Sequence, residues 1–489
     1  MGFPSGGWTT VIASPVCISP ERTTRASIPR GRIRQPRMKT AAGIALAAAV
    51  LFGAAFLLKP APTPVARPRL VAPSEPAPVP PEIAPAKSGP IPERKVIDPR
   101  GLLADLSRAL RVGDEKAIRE ILDKLRDLLL PPVPDDQNAA LPYVHAFTIM
   151  GSLIPKGDER KAYEALLMGN EPGAEDLKIL RGWLGKRSDV LAEVTRLLRE
   201  AADRPQCRFP QDEEWGLGSS HAKSLVRISW AANLLSVQAA LARLDGNPRE
   251  SAESVRAGLA LARAPRSDPA IISQMIACAV DGVGFDSAQR GGFLGASRLA
   301  SLVDALDPAS FRDAYSRAIV GDVVGTVSDF LKWRADPSAV EDEELRAFAQ
   351  NPLAVQDLAS FVERVSAFTR LLDRPYGEVQ VELEGLARKS GEEAPWYARF
   401  SKMEFEPGLM RAVAQSEARL SLVKMASELE RWRAREGGYP ATLDALGVPT
   451  PRDPFSGQPF VYRREGDGFT LEPAGEVPNK EKLTWRAGR

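Results

Sequence analysis

Three carboxylates crowd into the segment 207–216, whose one-letter sequence is CRFPQDEEWG. Asp212, Glu213 and Glu214, followed by Trp215, are residue types suited to hydrolytic acid–base chemistry. In such chemistry one carboxyl gives a proton while another activates water or attacks. The same groups hold calcium in other settings. A run of acids is also what the first turn of a helix carries, because aligned peptide dipoles leave that end positive. Glu341, Asp342, Glu343 and Glu344 fit this second explanation.

The remaining reactive residues are sparse. His221 follows Ser219 and Ser220 in the chain, but a nucleophile needs a base, an orienting acid and an oxyanion hole assembled by the fold. Either serine suits a helix N-cap instead. His145 lies among Tyr143, Val144, Ala146 and Phe147 and reads as a hydrogen-bonded core histidine. Gly282, Gly284, Gly291 and Gly292 lack the preceding strand of a phosphate-binding loop and read as close-packing positions or helix ends. Cys17, Cys207 and Cys278 and the two histidines are too scattered for a zinc site, which gathers about four such ligands. No metal or cofactor is expected. Cys207 and Cys278 allow either one disulfide outside the cytoplasm or two buried thiols.

The 489 residues suggest two or three domains. Hydrophobic residues make up 44% and charged residues 26%, enough apolar content for a packed core. Lysine and arginine number 65 against 63 acids, so the net charge lacks the basic excess that nucleic-acid binding exploits.

The N-terminal region reads as an address and a tether. Residues 1–39 have no hydrophobic period and read as a disordered cytoplasmic segment, or as sequence upstream of a start at Met38. Residues 40–58 are an uncharged run long enough to cross a bilayer as a helix. Arg30, Arg32, Arg34, Arg37 and Lys39 precede it, and cytoplasmic flanks carry such an excess of positive charge. This predicts a single-pass inner-membrane anchor with the body in the periplasm. A cleaved signal sequence, with Gly53-Ala54-Ala55 near the cut, would also export the body. Residues 59–99 contain 13 prolines and predict an extended spacer rising about 3.1 Å per residue.

From 100 to 405 the pattern is helical. Leu102, Leu103, Leu106 and Leu110 share one face, Gly113-Asp114 breaks it, and Ala117, Ile118, Ile121, Leu122, Leu125 and Leu129 form a second stripe. A second hairpin runs from Leu225 to Leu244, turns at 245–248 and returns to Arg263; its small residues weakly resemble tetratricopeptide helix pairs, without their fixed period. Further helices are predicted over 137–153, 157–168, 174–202, 267–289, 296–306, 309–334, 341–350 and 353–372. Val379–Leu383 alternates like a strand. The fold class is mainly α: a helical-hairpin bundle followed by a small α+β unit at 406–489.

In that last unit a helix over 408–436 carries Met410, Val413, Leu420, Val423, Met425, Leu429 and Trp432 along one face, with Glu417, Arg419, Glu428 and Arg431 largely elsewhere. Gly437-Gly438 ends it. Tyr439-Pro440, a short helix over 442–446, the turn Asp453-Pro454-Phe455, and alternating runs at 460–463 and 469–471 follow. This order resembles the globular part of the major pseudopilin of type II secretion: a long helix ending in Gly-x-Tyr-Pro, a Leu-bearing short helix, and an Asp-Pro-aromatic turn leading into a β-meander. Gly438, Tyr439, Pro440, Leu443, Leu446, Asp453, Pro454, Phe455, Gly457, Tyr462, Phe469 and Gly475 carry the resemblance. The departures are that no GFxxxE motif precedes the anchor, the anchor lies far upstream of the long helix, and no acid cluster follows Gly475. Filament assembly and calcium binding are therefore not implied. The same residues would equally fold a cap on the helical body, with Asp453 bonding local N–H groups. The whole arrangement is similar to a set of bacterial envelope proteins, which implies architecture only. The expected function is a membrane-anchored, extracytoplasmic scaffold that contacts other envelope proteins. The alternative is an envelope hydrolase using the carboxylates of 207–216.

Overall fold

A computed structural model describes residues 99–167, 172–209, 221–291, 297–308, 310–393, 407–477 and 483–487. These are mainly helical, with one antiparallel sheet of three short strands. The proposed anchor at 40–58 and nearly all of the spacer lie outside the described residues, as does the boundary at 405–406.

The first hairpin forms as its apolar stripes dictate. Helices α1 (Pro99–Val112) and α2 (Glu115–Leu129) are separated by Gly113 at φ 71° and by Asp114, whose side chain accepts the Ala117 N–H. Leu103, Leu106, Leu110, Ile118, Leu122, Leu125 and Leu129 are all buried. Each fully buried side chain of this size contributes about 1.5–3 kcal/mol. Helix α1 packs along α14 (Ala354–Leu371), where the Arg111 guanidinium forks onto the Glu363 carboxylate at 2.7 and 3.1 Å. Helices α3 (Ala140–Ile149) and α4 (Asp158–Leu167) follow.

The single helix expected over 174–202 is two, α5 (Ala174–Gly185) and α6 (Ser188–Asp203). The chain turns at Arg187, which leaves helical geometry at φ −129°, ψ 25°. Its guanidinium donates to the carbonyls of Trp183 and Ser152, both at 3.1 Å, so side-chain bonds replace the continuing helical ladder.

Helices α7 (His221–Leu244) and α8 (Pro248–Leu261) form the second hairpin, with Asn247 capping α8 through the Glu250 N–H. A one-turn helix α9 (Arg263–Ser267) leads into α10 (Ile271–Gly291). Helix α10 packs against α7, α8, α9, the long helix α12 (Ser310–Ala335) and the C-terminal helix α16 (Pro407–Glu436). It is the one described helix long and apolar enough to cross a membrane, and 72% of that window is buried inside the protein. Gly284 permits its close approach to α8, since a Cβ there would lie 2.9 Å from Leu259 Cδ2. Helices α11 (Ser297–Ala305), α13 (Glu343–Gln350) and α15 (Tyr376–Glu393) complete the bundle.

Val379–Leu383, expected as a strand, is part of α15. Val379 and Leu383 are buried whereas Val381 is 77% exposed. Burial four residues apart, not two, is the helical period.

Helix α16 departs from its expected amphipathic form. Residues 413–423 are buried on every side, Glu417 and Arg419 included. The reason is its central place: α10, α11, α12, α15 and the sheet all pack on it. Strands β1 (Val461–Glu465), β2 (Gly468–Glu472) and β3 (Trp485–Ala487) form a meander, with Glu465 facing Gly468 across a two-residue turn. Trp485 meets Phe285 of α10 edge-on at 5.5 Å, and the Gln289 amide donates to the Thr484 carbonyl at 2.7 Å. One hydrophobic cluster therefore runs from Leu103 to Trp485.

The tightest contact between the two regions is at Gly377, where a Cβ would fall 1.6 Å from the Phe455 carbonyl oxygen. Gly377→Ala should separate the 453–455 turn from α15 and cost about 2 kcal/mol in urea denaturation. Gly385→Ala, on the same helix with nothing within 4 Å of the added carbon, should be neutral or stabilise by up to about 1 kcal/mol.

Candidate functional site

The structure disperses the residues singled out for chemistry. Asp212, Glu213, Glu214, Trp215, Ser219 and Ser220 lie outside the described residues. Asp342 caps α13 by accepting from the N–H groups of Glu344 and Leu345, so the acidic run at 341–344 is a helix start. His145 is exposed, not a core histidine. On α3 the buried face belongs to Tyr143 and Phe147, four residues apart and stacked at 5.9 Å, which turns His145 outward. Cys207 and Cys278 are buried free thiols, not a disulfide. Cys207 lies at the end of the α6 connection, where its carbonyl accepts from Ser267 Oγ at 2.6 Å. Cys278 lies on α10 near Asp281 and Ser416. Burial pushes both thiols up to about 12, which keeps them protonated and unreactive. Among the described residues no group of three or more His, Cys, Asp or Glu could hold a metal ion.

The densest concentration of buried charge lies elsewhere, where α9, α10, α12 and α16 meet. Arg266 of α9 donates to Asp281 Oδ1 of α10 at 2.5 Å, and each side chain is 9% exposed. The Arg266 guanidinium also sits over the Phe311 ring, 3.9 Å from its centroid. Arg419 enters from α16 beside Gly282, where a Cβ would lie 3.6 Å from its Nη1. Burial raises the Asp281 carboxyl above its usual range, and the two guanidinium groups oppose that shift. These groups surround a cavity of about 10 Å³, the space of one water molecule. They therefore act on each other rather than on a substrate.

Two turns apart along α16, three charged side chains reach the segment 304–312. Glu417 Oε2 pairs with Arg312 Nε at 3.2 Å, Lys424 donates to the Leu306 carbonyl at 2.7 Å, and Arg431 pairs with Asp304. Spacing of seven residues puts all three on one side of the helix. Burial raises the Glu417 carboxyl to about 7, against the pull of Arg312. A second buried carboxylate, Asp322 of α12, accepts the Ile271 N–H at 3.3 Å and so caps α10 from a neighbouring helix. Burial raises it to about 7 as well.

The C-terminal motif residues are brought together, and packing consumes them. Asp453 is fully buried and accepts from the Phe455 and Gly475 N–H groups at 3.0 and 2.7 Å and from Ser456 Oγ at 2.6 Å. The Pro454 carbonyl accepts from the Gly377 N–H, and the Phe455 ring meets Tyr376 edge-on at 6.1 Å. Tyr439 donates to Glu430 Oε1 at 2.6 Å and stacks edge-on with Phe469 at 4.8 Å. Tyr462 donates to the Pro440 carbonyl at 2.7 Å. Each polar group of the motif thus has a partner within the chain.

A groove of about 220 Å³ lies between the α1–α2 turn, the end of α12 and the start of α14. Leu110, Ile118, Phe330 and Val355 line it, with Arg111 and Arg334 among its polar groups. Val112, which also lines it, and Leu353, which follows the lining residue Pro352, are 78% and 59% exposed.

Sequence reading missed the buried charges because α16 looked amphipathic. The available signal was Asp281 within an otherwise apolar run, since a charge at such a position must find a partner. Asp281→Asn should cost about 3–5 kcal/mol, because it strands Arg266 in the core. Replacing both, as Arg266→Met with Asp281→Leu, should recover only part of that loss in the same denaturation assay, because Arg419 still loses the Asp281 charge. Asp322 and Glu417 rise from 3.8 and 4.5 to about 7 on folding, so the folded chain binds more protons between those values. The stability contributed by these two groups should be full below about 4 and be lost as pH rises to about 7. Asp322→Asn and Glu417→Gln should each flatten the curve of melting temperature against pH. Compared with protein-family models, with curated proteins and with solved structures, the chain matches none.

Proposed function

We propose that this protein is a membrane-tethered scaffold of the cell envelope, held by residues 40–58 with its helical body outside the cytoplasm and presenting that body to other envelope proteins. One observation carries the reading: an uncharged run at 40–58, with five cations in the ten residues before it and a proline-rich segment at 59–99 behind it. An anchor, a spacer and a well-packed body form a device for holding a surface at a distance from the bilayer. The body suits that task because its C-terminal unit shares one core with the helical bundle, so a partner meets a single stiff object. The groove beside Val112 and Leu353 is the natural contact area, since large side chains this exposed mark interaction sites when they cluster. The hydrolase reading rests on the residue types of Asp212, Glu213 and Glu214 alone.

Membrane fractionation and protease accessibility in spheroplasts test the proposal. The full chain should sediment with the inner membrane and be cut from outside, and deletion of 40–58 should abolish the sedimentation. A full chain that stays soluble and protected inside the cell would refute it. In-cell crosslinking should capture defined envelope proteins, and Val112→Asp with Leu353→Asp should reduce that capture several-fold while leaving the melting temperature nearly unchanged.

A further inference from the structure

The ionic contact between α9 and α10 leaves two buried atoms without a partner. Arg266 uses one Nη on Asp281 Oδ1, while its Nε–H, Asp281 Oδ2 and Ser416 Oγ make no well-formed hydrogen bond within the protein, although Ser416 lies close enough to the Asp281 carboxyl to favour its charged form. Both members of the ion pair are about nine-tenths buried, so bulk solvent does not satisfy these atoms. Arg266 and Asp281 line the same cavity of about 10 Å³, together with Ser416 and Arg419 of α16. Apolar side chains, among them Leu259, Phe311 and Val423, line the rest of it.

A donor and an acceptor, both deprived of water and carried by residues that line one small space, define what fits there. Buried waters typically make about three hydrogen bonds and need a cavity of at least this size. The lining holds two guanidinium groups against one carboxylate, and that excess of positive charge would favour a small anion. The unpaired Asp281 Oδ2 opposes an anion, because a space this small offers no position remote from that lone pair. A small anion cannot donate to the carboxylate, whereas water can both accept from the arginine and donate to Asp281.

We propose that this cavity is the binding site of a single water molecule that accepts from Arg266 Nε–H and donates to Asp281 Oδ2, with the Ser416 hydroxyl as its third neighbour. The α9–α10 ion pair and α16 are then joined through that molecule as well as by direct contact. The site is independent of the scaffold reading, since it concerns how the core is held.

A high-resolution crystal structure of the full chain in detergent, with and without a bromide soak, tests it. The expected result is one density peak within hydrogen-bond distance of Arg266 Nε and Asp281 Oδ2, with no anomalous bromide signal. A bromide peak there, an empty cavity, or direct pairing of the two atoms would overturn it. In solution, the melting temperature should be the same in chloride, bromide and gluconate at equal ionic strength; an increase specific to halide would identify an anion site and overturn it. Val423→Leu pushes a methylene into the cavity. If a required water is expelled the melting temperature falls by several degrees, whereas filling a dry hole would raise it or leave it unchanged and so contradict the proposal.

Discussion

A carboxylate carried into the middle of an apolar helix must bring its counter-charge with it, and the arrangement of this protein follows from meeting that demand at Asp281. Helix α10 is the most embedded element, and Asp281 faces the region where α16 crosses it. Arg266 answers from the short α9 turn and Arg419 from α16. Neither arginine can move far without leaving a charge unpaired in a medium of low polarisability, where the cost is several kcal/mol. Buried pairs of this kind add little net stability relative to apolar side chains of the same shape. Here the effect is geometric: the attraction of Arg419 to Asp281 favours one rotation of α16 about its own axis.

The other polar contacts of α16 follow from that rotation. Glu417, Lys424 and Arg431 come to lie along one side, against the segment between α11 and α12. Lys424 there meets carbonyls at the end of α11, where the helix dipole favours a cation. The opposite end of α16 delivers Tyr439 and the sheet to their places, and the Asp453 turn seats against Gly377. The features that resemble a pseudopilin globular unit are accordingly used inward. Asp453 organises its own turn and Tyr462 ties the strand to Pro440, as a cap on the bundle requires. A docking role for this unit would have to use other surfaces.

With the interior occupied in holding itself together, the groove lined by Val112 is the contact area we propose for a partner. It lies where two helix ends and a turn converge. At about 220 Å³ it is smaller than the clefts that enclose small-molecule ligands, typically about 300–1,000 Å³.

The sequence alone determined the helical class, both hairpins, the acidic start of α13, the end of α16 and the order of the C-terminal turn and first two strands. Each is a local matter: apolar residues at helical spacing, Gly113 or Gly437 where φ must be positive, Asn247 or Asp342 where a helix start needs a cap. Tertiary structure alone decided how those elements use their polar residues. Val379–Leu383 joined α15 because the neighbours covered every fourth residue, not every second. His145 turned outward because Tyr143 and Phe147 claimed the core. Arg187 broke a helix because carbonyls from two segments were within its reach. Above all, Glu417 and Arg419 look like the wet side of a surface helix, and only the arrival of Arg312 and Asp281 from distant parts of the chain makes their burial affordable. Periodicity reports which residues avoid water on average. Which charges can be buried depends on partners that the one-dimensional pattern does not bring together.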